Sequence, residues 1–428
     1  MHLNRILTLA LIIIASGCLA QSELDPPLRP TLNLLTLDPE SGNPTLTWIS
    51  PSHNPLHLDP IGYIIYVPYE EGGGWTPIDS VDANTYTYTD INNNGLHESI
   101  KYVIASQGPV EPSPLTPPHG SINVTAKYDS CSNKIDIAWN QYLGWGNRID
   151  FYNVYIGENP NWDQLTLTTT TPGTQNFAYY DVLPNKDYYI YVEAKKRNEE
   201  FYSKSNLTHI NTRIAIAPQY MYVDSLIAKD QQNEIHFTID ANTEFRRFKL
   251  IRWESSDSIK SFFTSKDVFE FTKPSTTYFA DTSDSWAARS RTFYYKINAY
   301  DGCNRLKRIS NLSNTIIIRA HSAGNKSTIS WEKFYSAQGN AISYDLYRIA
   351  YSQGISISEL IYQTENPMIT EYTDDLSIFE GQGYLPYFCY YIEANEMLGE
   401  GQTSRISRSR TICAQIDPDI TMPNAIDP

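Results

Sequence analysis

Apolar residues fall at every second position in three short phrases of this chain, Tyr188 to Ala194, Phe293 to Ala299 and Phe388 to Ala394. Counting back from each alanine, the positions two, four and six away are apolar: Val192, Ile190 and Tyr188 in the first phrase. That is the period of a strand with one buried face. A weaker copy runs from Ile100 to Ala105. The alanines lie 89, 105 and 95 residues apart. Strands that recur at such an interval predict tandem β-sandwich modules, each large enough to close its own core. In 428 residues the spacing selects four.

Other strand phrases trace each module. Module 1, residues 27–117, holds Leu46 to Trp48, Tyr63 to Tyr66 and Tyr86 to Asp90. Module 2, residues 118–213, holds Ile135 to Trp139, Tyr152 to Tyr155 and Tyr179 to Asp181. Module 3, residues 214–318, replaces the tryptophan strand with Ile235 to Phe237 and follows it with Phe248 to Ile251. Module 4, residues 319–416, restores Ile329 to Trp331, then Tyr344 to Tyr347 and Tyr372 to Asp374. No stretch has the 3.6-residue period of a long amphipathic helix. The joint Pro109 to Pro118 is short and proline-bearing and the later joints are nearly seamless, which predicts a semi-rigid monomeric rod. No long apolar edge in the sequence asks for a partner.

The N-terminus sets the compartment. Arg5 precedes the apolar run Ile6 to Ala15 and the small-residue patch Ala15 to Ala20, which read as a signal peptide over residues 1–20 and not as a membrane span. Cleavage after Ala20 frees a soluble protein. Cleavage before Cys18 uses Ala15-Ser16-Gly17-Cys18, which is similar to a bacterial lipoprotein box without its usual leucine, and lipidates Cys18. The product is secreted or held at the cell surface on the outer membrane, and membrane contact depends on that lipid. Apart from Cys18, Cys131, Cys303, Cys389 and Cys413 remain, and an even number in an exported chain predicts two disulfides.

Composition narrows the partners. The 32 tyrosines, with 8 Trp and 15 Phe against 5 Met, suit pleated half-buried surfaces. A net charge of −15 argues against nucleic acid, which needs a concentrated basic face. The basic cluster Arg405 to Arg410 alternates with polar residues and reads as the solvated face of an edge strand.

The order of a Trp strand, a Tyr-x-x-Tyr strand, Leu183-Pro184 shortly before Tyr188 and the x-Val-x-Ala strand resembles the fibronectin type III module over residues 27–416. The implied fold class is all-β: four tandem fibronectin type III-like β-sandwiches after a signal peptide. The phrases Trp139-Asn140-Gln141-Tyr142-Leu143-Gly144-Trp145 and Ser310-Asn311, with the tail Ile420 to Ala425, are similar to the modules that precede the gliding-motility-associated C-terminal sorting domain of Bacteroidetes surface proteins. That family uses type IX secretion. The tail 417–428 resembles only the entry to the sorting domain, so sorting itself is not carried over. In such a sandwich Cys389 and Cys413 face each other across the final hairpin. Cys131 and Cys303 sit on loops at opposite module ends, which predicts a bridge between modules 2 and 3.

Candidate chemistry is thin. Asp90-Ile91-Asn92-Asn93-Asn94-Gly95 matches the first half of a calcium loop, but Lys101 stands where a bidentate glutamate is needed, and a polar loop after the fifth strand explains the same residues. Pro55 between His53 and His57 forbids the helix that would place both on one face. The adjacent pairs Glu70-Glu71 and Asp374-Asp375 read as solvated turns. No catalytic motif is present and no cofactor or metal is expected. Trp75, Trp145, Trp162 and Trp286 lie outside the Trp-strand positions, as candidate contacts for a sugar or a protein, with packing over a sheet edge as the simpler reading. The favoured function is a non-catalytic exported scaffold or adhesion protein of a gliding-type bacterium with a surface protein or glycan as partner. The alternative is a carbohydrate-binding array accessory to polysaccharide use, and an enzyme has least support.

Overall fold

The computed structural model describes residues 24–69, 73–254, 264–283, 291–335, 342–396 and 405–416. The signal peptide with Cys18, the pair Glu70-Glu71, Trp286 and the tail 417–428 lie outside the described residues. The chain divides between Arg213 and Ile214 into two compact units, each holding two sandwiches. Strands dominate, and the helical segments among the described residues are three-residue 3-10 turns such as Trp162–Gln164.

In the first unit one sandwich sets the sheet Thr31–Leu37, Pro44–Ile49, Thr87–Thr89 against the sheet Trp75–Asp82, Gly62–Pro68, Lys101–Gln107, His119–Gly120. The next sets Val124–Asp129, Lys134–Trp139, Phe177–Asp181 against Thr166–Pro172, Ile149–Gly157, Asp187–Lys196, Tyr202–Lys204, with Thr208–Asn211 also on Asp187–Lys196. A three-stranded sheet over a four-stranded one in this order is the fibronectin type III-like arrangement. The alternation buries one face of each strand, and Tyr188, Ile190, Val192 and Ala194 are all within the core. Trp48 packs edge-on against Tyr63, with ring centroids 5.4 Å apart, and Trp139 against Tyr152 at 5.5 Å. The Tyr188 hydroxyl reaches back to accept the Leu183 amide at 3.1 Å, which pins the corner before its strand.

The second unit repeats the plan. Its third sandwich fills the tryptophan position with Phe237, whose ring centroid lies 5.2 Å from that of Phe271. The fourth restores Trp331 against Tyr344 at 5.7 Å. A parallel bridge between Ile227 and Arg408 fuses the three-stranded sheet of one sandwich with the larger sheet of the other into a single eight-stranded sheet. Cys389 faces Cys413 in register and is disulfide-bonded to it, with Cα atoms 3.9 Å apart. Cys131 falls in the first unit and Cys303 in the second, each on a turn whose aspartate, Asp129 or Asp301, accepts the cysteine amide.

Three readings of the sequence are corrected. The weak repeat is out of phase by one residue: Tyr102 and Ile104 enter the core, and Ser106 occupies the alanine position. Asp374 is not solvated but buried against Arg348. The arginines from 405 to 410 do not form a solvated face either, since Arg405 pairs with Asp224 of the preceding sandwich at 2.8 Å and Arg410 donates to the Lys229 carbonyl at 2.6 Å. One outer strand, Ile355–Thr364, exposes Ile355, Ile357 and Leu360 and forms an apolar edge the sequence reading did not foresee.

Candidate functional site

Each unit is organised around the seam between its two sandwiches, and the seams are built alike. The entry strand of the unit, Thr31–Leu37 or Met221–Ala228, carries a β-bulge that turns one residue out of the ladder, Asn33 or Asp224. Both bulged residues meet the following sandwich. The Asn33 carbonyl accepts Trp145 Nε1–H at 2.7 Å, and the Asp224 carboxylate pairs with Arg405. Two residues after each bulge, a serine hydroxyl from the last sheet of the unit takes hold. Ser203 Oγ donates to the Leu35 carbonyl at 2.7 Å, and Leu226 N–H donates to Ser407 Oγ at 3.0 Å. Further along the first seam the Lys204 amide donates to Thr36 Oγ1 and the Leu207 amide to the Pro39 carbonyl.

The first seam leaves a groove of about 740 Å³, bordered by Leu34, Thr36 and Asp38 on one side and Trp162, Glu193 and Tyr202 on the other. In the second unit the corresponding space, beside Ile227 and Arg408, is about 220 Å³, because the backbone bridge draws the strands together where Thr36 interposes its hydroxyl in the first. Each unit also carries a stacked tyrosine pair, Tyr155 on Tyr191 at 4.5 Å and Tyr347 on Tyr391 at 4.7 Å. Cations cover their neighbours: Lys204 Nζ sits 4.1 Å over the Trp162 ring, Lys195 Nζ 4.3 Å over Tyr202, and the Arg408 guanidinium 3.6 Å over Tyr391.

Of the candidate aromatics, Trp162 borders the groove and Trp75 lies half-buried on an outer strand opposite Pro68. Trp145 is no surface contact: it is 2% exposed, and its indole is consumed by the seam. The calcium-like loop uses its oxygens internally. Burial alone would raise the Asp90 pKa, but hydrogen bonds from the Asn93 side chain, the Tyr102 hydroxyl and two loop amides lower it below the usual carboxylate range. His53 Nδ1 lies against Asp59 and His57 Nδ1 against the Pro26 carbonyl, so the two rings serve different partners. No cluster of three or more His, Cys, Asp or Glu with metal-holding geometry occurs among the described residues. Nor, among them, is any helix long and apolar enough to cross a membrane.

The strand order defines the class of protein, an array of fibronectin type III-like sandwiches. No protein-family model and no curated protein sequence matches the chain. Among solved structures it is similar to the crystal structure of chicken CNTN1 FN1-FN3 domains, at 12% identity over 68% of this chain and 99% of that one, with a TM-score of 0.27. The fold assignment rests on the sheets themselves.

Proposed function

We propose that the chain is a non-catalytic exported scaffold or adhesion protein, displayed by a gliding-type bacterium of the Bacteroidetes. The observation that carries this reading is the repeated seam, in which both units use side chains to fix one sandwich on the next. Such an arrangement holds surfaces at set positions. Export is supported by the disulfide between Cys389 and Cys413, a bond that persists in oxidising compartments. Lipidation at Cys18 is the route to a membrane anchor. The test is protease shaving of intact cells that express the full chain: surface display predicts its loss from cells under conditions that spare an internal marker, and full protection opposes it.

A second reading, a carbohydrate-binding array, is favoured by the groove alone, where Trp162 and Tyr202 stand beside the carboxylates of Glu193 and Asp38. It predicts glycan-array signal lost in Trp162→Ala and kept in Trp75→Ala. Lysines already cover one face of Trp162 and of Tyr202, which leaves less ring surface for a sugar and places this reading second.

A further inference from the structure

The first seam contains a directional hydrogen-bond relay that joins three segments. Leu35 N–H donates to the Tyr142 hydroxyl oxygen at 2.8 Å, and that oxygen lies 2.9 Å from His119 Nδ1. A hydroxyl has one proton to give. Among the described residues that proton meets no acceptor other than His119, so Nδ1 is bare and the imidazole is the neutral Nε2–H tautomer. The site is closed, with His119 3% and Tyr142 2% exposed. Gly144, at φ +120°, passes so close that a Cβ there would lie 2.4 Å from the imidazole ring. Only glycine fits beside the ring at that position.

The groups around this ring disfavour added positive charge. Tyr142 is its one direct polar contact among the described residues. Lys196 and Arg148 face it from the second sandwich, both paired with Glu199. From the first sandwich Tyr102 is its register partner, with its hydroxyl turned away to Asp90, and Lys101 stands opposite Gly120. Burial first, then Lys196 and Arg148, push the His119 pKa down to about 4.

We propose that His119 is an acid-sensitive latch on this seam. A proton taken from solvent onto Nδ1 turns the acceptor into a donor. Two N–H groups, of Leu35 and His119, then point at one tyrosine oxygen, and the hydroxyl proton is left without an acceptor in a dry site. The relay fails, and the entry strand Thr31–Leu37 loosens from the second sandwich. The second unit is built without this element: Phe334 takes the place of Tyr142, each donating its amide to the tyrosine hydroxyl ten residues on, and the Leu226 amide rests on Ser407 instead. The direction follows from linkage. The closed seam accommodates only neutral histidine, so it is at full strength above a pH of about 6.5, weakens as pH falls, and levels off near the depressed pKa.

Hydrogen exchange of the full chain, read by mass spectrometry at about pH 7.5 and about pH 5 with times scaled to intrinsic rates, tests this. Protection of the peptide containing Leu35 should fall by roughly thirtyfold between the two conditions, while the Leu226 peptide does not follow that curve. In His119→Gln, whose amide oxygen accepts the tyrosine proton but does not titrate, the Leu35 peptide should keep one protection at both pH values. Should that variant fail to fold, Tyr142→Phe removes the relay and predicts low protection of the Leu35 peptide already at about pH 7.5. Unchanged wild-type protection, the same fall persisting in His119→Gln, or wild-type protection in Tyr142→Phe overturns the latch.

Discussion

A buried aspartate organises the polar heart of the third sandwich: Arg252 and Tyr295 both donate to Asp281 Oδ2 at 2.8 Å, while Ser283 donates twice to Oδ1. The fourth repeats the set with Arg348, Tyr390 and Asp374. In the first sandwich only the Tyr102 and Asp90 pair is present, because Val67 stands at the arginine position, four residues after Tyr63. Burial would raise the Asp281 pKa, yet the Ser283 bonds, the Tyr295 hydroxyl and the Arg252 charge together hold it below the usual carboxylate range. Its contribution to stability is therefore present above the ordinary aspartate pKa of about 3.9 and is lost as pH falls through the lower folded value. Removing it leaves Arg252 buried without its main counter-charge. Asp281→Ala should cost the second unit on the order of 3–5 kcal/mol, measured by guanidinium unfolding at neutral pH, and the gap from wild type should narrow in acid below pH of about 3. In the sequence Asp374 reads as a solvated turn residue and nothing marks Asp281. Their partners lie 29 and 26 residues away, so the burial that makes them structural had no local signature.

At the scale of strands, the core phrases were legible because they alternate strictly, and Phe293, Tyr295, Ile297 and Ala299 all prove buried. The outer strands Trp75–Asp82, Thr166–Pro172 and Ile355–Thr364 were not, because they show solvent on most positions and lack that contrast. A quieter device sets the phase. In all four sandwiches a hydroxyl accepts one amide of the repeated strand: Thr116 from Ile104, Ser205 from Val192, Ser310 from Ile297 and Ser409 from Ile392. The same residue's own amide then donates back to that position's carbonyl. Asn206 and Asn311 extend the device, each bonding both backbone groups of Val124 or Val223, as a neighbouring strand would. The Ser-Asn phrase was visible in the sequence, while its task of substituting side chains for a ladder was not. The final hairpin has a different fastening. Reducing Cys389–Cys413, which closes a span of 24 residues, should lower stability by roughly 3 kcal/mol on the chain-entropy model, seen as a lower unfolding midpoint of the second unit in reductant.

Across the whole chain the effective building block is the pair of sandwiches. The entry strand of each unit is completed by groups that arrive, as Ser203 does for Leu35, from 168 residues later in the sequence. No window of sequence displays such a partnership, and for that reason the pairing escaped a reading that found the four modules. Chains cut between Arg213 and Ile214 should each fold. A piece ending at residue 122, which keeps the strand His119–Gly120, should melt several degrees below residues 24–213, because Leu35 loses both its seam bonds, a comparison that calorimetry settles. The seam has a further consequence for a molecule under load. Leu35, Thr36 and Pro39 meet Ser203, Lys204 and Leu207 in ascending order, and Leu226, Ile227 and Lys229 meet Ser407, Arg408 and Arg410 in the same sense. The first and next-to-last strands of each unit, Thr31–Leu37 with Tyr202–Lys204 and Met221–Ala228 with Arg405–Arg408, thus run side by side in parallel. Tension applied at the two ends of a unit drags these strands in opposite directions along their length. The bonds are strained together, in shear, and none can be peeled away ahead of the rest.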